Sequence, residues 1–318
     1  MKTLRFILIC FISLMIVLPV LAAAPDTEKI AYVTWKNDSS TINLMNPNGG
    51  DHQILLRRSG KINQLAWSPN GEKILFCADR NGTHDVFIMD ADGSNVKPVF
   101  DEMIYKREPI WSPDGKQIAF VAYSKIANNY NIHIASADGN YIEPTIQTHR
   151  LGGDPSGSPD GTKIAYVISN VKKREIYVFN LETKESKRLI LDKNPHYILP
   201  RWSPLGDKIA FYSSGLHKEN GIYTVTPDGF NQKLVVSTDI SFVSALAWAP
   251  NGKRMVYSKS VKGITQIFTV DIATGRTMQL TQDGVNIDPV WYDPASTSLP
   301  VKPNSHLLTS TWGNIKAE

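Results

Sequence analysis

The chain has 318 residues, of which 42% are apolar, 20% charged and 9% aromatic. This composition is typical of a soluble globular protein and excludes a disordered chain. The formal net charge is only +4, and two of the positive charges, Lys2 and Arg5, lie at the very start of the chain. The remainder is therefore close to neutral, which argues against nucleic acid as its main partner.

The N-terminal segment has the pattern of a secretory signal peptide. Basic residues precede an uncharged apolar run at residues 6–21, and three alanines follow this run. Cleavage after Ala22 satisfies the small-residue rule for such sites. An uncleaved membrane anchor is the alternative, but the run is short for a span of about 20 residues. We expect a cleaved signal at residues 1–22, no transmembrane segment after cleavage, and a periplasmic or secreted protein.

A pentapeptide motif then recurs at a nearly constant interval. Its copies begin at Trp67, Trp111, Gly157, Trp202, Trp248 and Trp291. They read WSPNG, WSPDG, GSPDG, WSPLG, WAPNG and a degraded WYDPA, and successive copies are 43 to 46 residues apart. In the S-P-D-G turn, proline presets φ at the second position and glycine accepts a positive φ at the fourth. A period in the forties predicts propeller blades.

Each repeat contains four predicted β-strands. In one copy, a short strand ends at Trp111 and a second covers residues 116–123. The third covers residues 130–135, and the fourth, at residues 141–146, follows an Asp-Gly turn. Several of these strands are apolar at successive positions, which is expected where neighbouring blades cover both faces.

The two ends of the repeat region complement each other. Strands predicted at residues 29–35, 41–45 and 53–57 form a first repeat that lacks its inner strand, and residues 287–291 supply a spare one. The sequence therefore predicts an all-β, six-bladed β-propeller of four-stranded antiparallel blades over residues 28–292. We expect the C-terminal strand to close the ring by pairing with the N-terminal blade, which removes the open sheet edge. We expect a monomer.

The motif turns, the K-I-A-F-type second strands at residues 116–120 and 208–211, and the D-A-D-G turn at residues 90–93 resemble the WD-like repeats of the TolB β-propeller family. The resemblance covers about residues 29–291. It implies an exported or periplasmic six-bladed propeller that works by binding partner proteins. The family's namesake carries an α/β domain ahead of its propeller, and we expect none here because predicted strands begin soon after the cleavage site.

Catalytic motifs are scarce in the sequence. It contains no G-x-S-x-G elbow, P-loop or dinucleotide fingerprint. After the propeller comes a tail at residues 293–318, for which we favour docking against the propeller wall. We expect a non-enzymatic, protein- or peptide-binding scaffold of the cell envelope. The alternative is a metal-assisted lyase or hydrolase of extracellular carbohydrate, with His149 and His196 at one rim of the channel.

The candidate binding residues share one position in the repeat. Three residues before each motif stand Gln64, Glu108, Asp154, Leu199, Ala245 and Asp288. Because inner strands line a propeller channel, the four polar members are expected to form an acidic arc there. This arc would bind a cation or a basic side chain of a partner. The alternative is that its carboxylates accept backbone amides and hold the inner strands together. We expect no cofactor, and whether the channel binds a cation such as calcium is left open.

The fourth blade departs from the common pattern. Gly157 replaces the motif tryptophan, and Gly152 and Gly153 precede it. These glycines predict a loose inner strand with space beside it. The space is either a ligand notch or the result of sequence drift.

Overall fold

The computed structural model describes residues 23–124, 128–146, 151–170, 172–192, 196–215, 218–238 and 242–298. The predicted signal peptide, His149 and residues 299–318 of the tail lie outside these ranges. The described residues form β-strands, turns and a single stretch of 3-10 helix at Pro294–Ser298. No helix within these ranges is long and apolar enough to cross a membrane.

The strands form six blades. The first contains Lys29–Lys36 (β1), Ser39–Met45 (β2) and Gln53–Ser59 (β3). The second contains Ile62–Trp67 (β4), Lys73–Arg80 (β5), Thr83–Asp90 (β6) and Lys97–Pro98 (β7). The third contains Lys106–Trp111 (β8), Gln117–Ser124 (β9), Asn129–Ser136 (β10) and Tyr141–Ile146 (β11).

The second half of the ring repeats this order. The fourth blade contains Leu151–Gly157 (β12), Lys163–Ser169 (β13), Arg174–Asn180 (β14) and Ser186–Arg188 (β15). The fifth contains Tyr197–Trp202 (β16), Ile209–Gly215 (β17), Lys218–Val225 (β18) and Lys233–Ser237 (β19). The sixth contains Val243–Trp248 (β20), Arg254–Val261 (β21), Ile264–Asp271 (β22) and Thr277–Gln279 (β23), and the last strand is Val285–Tyr292 (β24).

The last strand closes the ring in the predicted way. β24 pairs with β1 antiparallel, so that Ala31 lies opposite Val290 and Trp35 lies opposite Val285. The first blade therefore has the strand order β24-β1-β2-β3. Both the six-bladed architecture and its closure by the C-terminal strand are confirmed.

The core lies between the blades. Six clusters of buried apolar side chains fill the six interfaces between neighbouring blades. Phe76 and Phe120, in the second strands of adjacent blades, are almost fully buried. Both faces of each blade are thus covered by its two neighbours, which explains why the strand sequences are continuously apolar. Burial of one such aromatic side chain contributes about 2–3 kcal/mol.

The motif sets the turn in each blade, and in the third and sixth blades its tryptophan also bonds to the preceding blade. In the third blade, the Gly115 amide donates to the Ser112 carbonyl over 3.0 Å, with φ of 69° at Gly115. The indole Nε1 of Trp111 donates across the interface to the carbonyl of Ala66 over 3.1 Å. The indole Nε1 of Trp248 donates in the same way to the backbone carbonyl of Arg201, over 2.9 Å. The motif therefore specifies the turn, whereas the indole Nε1 atoms of Trp67, Trp202 and Trp291 are buried without a hydrogen-bond partner in the described part of the chain.

The antiparallel order gives the ring two different faces. Turns between the first and second strands of a blade, and between the third and fourth, lie on what we term the turn face. Hairpins between the second and third strands, together with the connections from blade to blade, lie on the opposite side, the connection face. Inner strands run from the connection face to the turn face.

The closing strand packs tightly against a motif glycine of the second blade. A Cβ atom at Gly71, where φ is +72°, would lie 2.1 Å from Cζ of Tyr292. Gly82, in an exposed hairpin with φ of +81°, has nothing within 4 Å of its Cβ position. Both alanine variants incur left-handed strain of about 1 kcal/mol, but only Gly71→Ala also overpacks the closure, by about 2 kcal/mol.

Chemical denaturation should therefore show a larger loss of unfolding free energy for Gly71→Ala than for Gly82→Ala. Equal losses in the two variants would contradict the tight packing of Tyr292 at the closure.

Candidate functional site

The inner strands share a backbone kink where they line the channel. A left-handed φ between 50° and 57° occurs at Gln64, Glu108, Asp154, Leu199 and Asp288. At each of these residues the pairing with the second strand shifts register. Such a φ is strained for a non-glycine residue and persists only where other contacts hold it. Ala245, at the same repeat position in the sixth blade, lacks this conformation.

Hydrogen bonds between blades hold the kinked residues. Asp288 Oδ2 accepts the amide of Gln64 over 2.8 Å, and Gln64 Oε1 accepts the amide of Glu108 over 3.0 Å. Glu108 Oε2 accepts the amide of Asp154 over 2.5 Å, and Asp154 Oδ2 accepts that of Leu199 over 3.4 Å. We term this chain of bonds the inter-blade belt. The four predicted site residues thus bind backbone amides of the next blade, and ligand binding by them stays a prediction.

The glycines of the fourth blade make room for side chains of the third. A Cβ atom at Gly153 would lie 2.9 Å from Glu108 Oε2 and 3.1 Å from Arg107 Nη2. Arg107 forms an ion pair with Glu108, and its guanidinium carbon lies 4.9 Å from the centre of the Tyr130 ring. The space predicted beside Gly153 is therefore filled from within the protein.

Burial sets the protonation of the belt. Burial, together with the negative charge of Asp154, raises the pKa of Glu108 to about 7, although the Arg107 guanidinium acts in the opposite direction. Burial also raises the pKa of Asp288 to about 6, against the hydrogen bond from the Gln64 amide. Arg201 lowers the pKa of both groups by its positive charge. The belt therefore changes charge between about pH 5 and 8.

The belt is interrupted in the fifth and sixth blades. Leu199 and Ala245 have no side-chain acceptor for the next amide. In this gap lies Arg201, whose Nε donates to the Leu246 carbonyl over 3.0 Å and whose Nη1 donates to the Pro200 carbonyl over 2.8 Å. Within the described ranges Arg201 forms no ion pair, and its Nη2 has no acceptor.

Arg201 is not among the binding residues predicted from the sequence, although the repeat contains a signal for it. The residue directly before the motif is small or apolar in the other blades, namely Ala66, Ile110, Ser156, Ala247 and Val290. At this repeat position Arg201 is the single charged residue among the six blades.

The belt and its gap surround one cavity of about 250 Å³ in the central channel. Its walls include the four belt side chains and Arg201, together with apolar groups of the sixth blade. A larger groove of about 1270 Å³ lies outside the channel between the second and third blades, beside Ser296. Among the described residues no group of three His, Cys, Asp or Glu side chains is placed to hold a metal ion. His196 is exposed at the start of the fifth inner strand.

Comparison with known proteins agrees with the geometry of the ring. The sequence pattern described as the TolB beta propeller domain matches residues 12–125 and 116–297. The structure of TolB from Acinetobacter baumannii is similar, with a TM-score of 0.73 and 19% identity over 83% of this chain and 66% of that one. This chain thus spans about two thirds of that protein's length.

Two further solved structures share the fold. A TolB-like protein of Agrobacterium tumefaciens has a TM-score of 0.67 and 16% identity, over 84% of this chain and 97% of that one. An oligogalacturonate lyase in complex with manganese has a TM-score of 0.51 and 16% identity, over 81% of this chain and 74% of that one. At these identities the likeness shows the fold alone.

Replacing Glu108 by its neutral isostere tests the electrostatics of the belt. The folded protein keeps Glu108 protonated up to about pH 7, whereas the ordinary pKa is 4.5. The wild type should therefore lose stability as the pH rises from about 4.5 through 7. Glu108→Gln retains an acceptor oxygen, as Gln64 does in the second blade, but cannot ionise. Its stability relative to the wild type should rise by about 2 kcal/mol between pH 5 and 8.

Denaturant titrations at pH 5, 6, 7 and 8 measure this difference. Glu182→Gln, at an exposed position, is the matched control and should follow the wild type at every pH. A constant difference between Glu108→Gln and the wild type would show that Glu108 titrates as an ordinary carboxyl group.

Proposed function

Because the chain belongs to the TolB β-propeller family, we propose that it is a non-enzymatic scaffold that binds a protein or peptide on its connection face. A closed ring of six blades holds the loops of this face around one channel mouth. Ring closure fixes the blades that carry these loops, so that the blades lose little conformational entropy when a partner binds.

The distribution of exposed apolar side chains carries this proposal. The described residues expose nine large apolar side chains. Five of these lie on the connection face: Met103, Tyr105, Leu191, Phe242 and Ile264. Among the described residues, Leu205 and Phe230 are those of the turn face, and Ile54 and Met278 lie on the outer strands β3 and β23. Apolar side chains gathered on one side of a soluble protein are typical of an interaction surface.

Ring contacts hold two of these side chains in place. Tyr105 stacks on His84 with ring centres 5.8 Å apart and meets Tyr130 edge to face at 5.9 Å. Phe242 packs edge to face on Tyr212 at 5.7 Å. Ordered, partly exposed aromatic residues are frequent among the residues that contribute most to binding at protein interfaces.

We place this scaffold in the cell envelope as an exported protein. The basic start, apolar run and alanines of residues 1–22 support export, and the family resemblance supports an envelope role. The alternative is a metal-assisted lyase or hydrolase of carbohydrate. No observation in the described part of the chain favours a catalytic site for it.

A matched pair of double variants tests the binding face. Leu191→Ser/Phe242→Ser removes exposed apolar side chains from the connection face, and Leu205→Ser/Phe230→Ser removes the same residue types from the turn face. Immobilised wild-type protein should retain a partner from an envelope extract. The connection-face variant should recover at least about fivefold less of it, whereas the turn-face variant should match the wild type. Equal recovery by both variants would place binding elsewhere.

Export predicts a definite mature N-terminus. Protein purified from outside the cytoplasm of its source cell should begin at Ala23, because cleavage after Ala22 removes residues 1–22. Intact-mass measurement and N-terminal sequencing check this. Ala22→Glu should block processing and leave the precursor, and an unprocessed wild-type chain would show that the segment is an anchor.

A further inference from the structure

The gap in the inter-blade belt interrupts a hydrogen-bond pattern that the other blades repeat. In the second to fifth blades the amide of the kinked residue donates to the side chain of the preceding blade. Asp288 has the same left-handed backbone, but the preceding blade offers only the methyl group of Ala245. The channel thus lacks an acceptor at the position where the repeat would otherwise place one.

A guanidinium group lies in the same gap. Arg201 is anchored by two backbone carbonyls, those of Leu246 and Pro200, which fix its position. The Nη2 atom has no acceptor in the described part of the chain, and Arg107 already pairs with the carboxylate of Glu108. An anchored arginine with free donors is suited to bind a carboxylate.

We propose that the gap between the fifth, sixth and first blades is a carboxylate-binding site, in which Arg201 binds a carboxylate of the partner. The inference rests on the proposed binding function and specifies one group that the partner presents inside the channel, because Arg201 lies near the turn-face end of β16 and not on the connection face itself. The carboxylate supplies the acceptor that Leu199 and Ala245 lack. It belongs either to a free C-terminus or to an Asp or Glu side chain.

The walls of the gap favour this ligand over solvent. Leu199, Ala245, Leu246 and Ala247 line it with apolar groups, so the field of Arg201 is screened less than at the surface. A cavity of about 250 Å³ has room for a carboxylate group together with the carbon chain that carries it.

Binding at this site is coupled to protonation. The charged groups that line the channel are Glu108 on the third blade, Asp154 on the fourth, Arg201 on the fifth and Asp288 on the first, with Arg107 beside Glu108. Arg201 lowers the pKa of both Glu108 and Asp288. A bound carboxylate neutralises Arg201, so these pKa values rise further. Binding near pH 7 therefore takes up protons, and affinity increases from pH 8 to pH 6.

Two pairs of capped peptides test the site and distinguish the sources of the carboxylate. N-acetyl-triglycine with a free C-terminus is compared with its C-terminal amide. N-acetyl-Gly-Glu-Gly amide is compared with the corresponding Gln peptide. Isothermal titration calorimetry with the wild type should show binding of at least one acid and of neither amide. Titrations in two buffers of different ionisation enthalpy should show proton uptake at pH 7.

Arg201→Gln should weaken binding of the acid at least about tenfold and abolish the proton uptake. Arg276→Gln, on an exposed turn-face residue, should bind as the wild type does. The proposal would be overturned, without any variant, if neither acid bound wild-type protein at a peptide concentration of about 10 mM. Equal binding of acid and amide, or unchanged binding by folded Arg201→Gln, would overturn it as well.

These outcomes are independent of the proposed scaffold function. If a partner is captured through the connection face while neither acid binds, the carboxylate site is wrong and the scaffold function stands. If an acid binds through Arg201 but no partner is captured, the scaffold function is wrong and the carboxylate site stands.

Discussion

Pairing of β24 with β1 is the interaction on which the rest of the structure depends. Without it the first blade would have only three strands, and β1 would present an open edge. The pairing also brings Asp288 beside Gln64 and Tyr292 against Gly71, although these residues are far apart in sequence. Closure therefore holds the ring together and completes the channel at the same time.

Hydrogen bonds to buried carboxylates hold the channel together, and burial makes the ionised form of these carboxylates unfavourable. Three carboxylates lie around one narrow cavity, and burial raises the pKa of two of them. Each carboxylate nevertheless accepts an amide that the kinked inner strands turn toward the channel. Gln64 shows that an uncharged side chain performs the same structural task. The acidic members consequently make the channel responsive to pH and to added charge.

The sequence alone was sufficient for the architecture and only partly for the site. The six motif copies predicted the blade number, the spare strand at residues 287–291 predicted closure, and the common repeat position predicted that four polar side chains share the channel. That their carboxylates accept backbone amides was one of the two predicted alternatives, and the hydrogen bonds bear it out. Which amide each side chain accepts was not predictable, because it depends on a backbone kink that turns the amide toward the neighbouring blade. The space beside Gly153 was predicted, but its filling by Arg107 and Glu108 was not.

A local repeat therefore determined the fold, because a turn of fixed chemistry and an apolar strand pattern suffice to specify one blade, and the number of copies sets the number of blades in the ring. What differs between blades was decided by the tertiary structure. Leu199, Ala245 and Arg201 differ from the other blades at two repeat positions. They form a gap that contains an anchored guanidinium only because ring closure places them around a common axis. Contacts across that axis join residues about 45 positions apart or more, and no local pattern contains them.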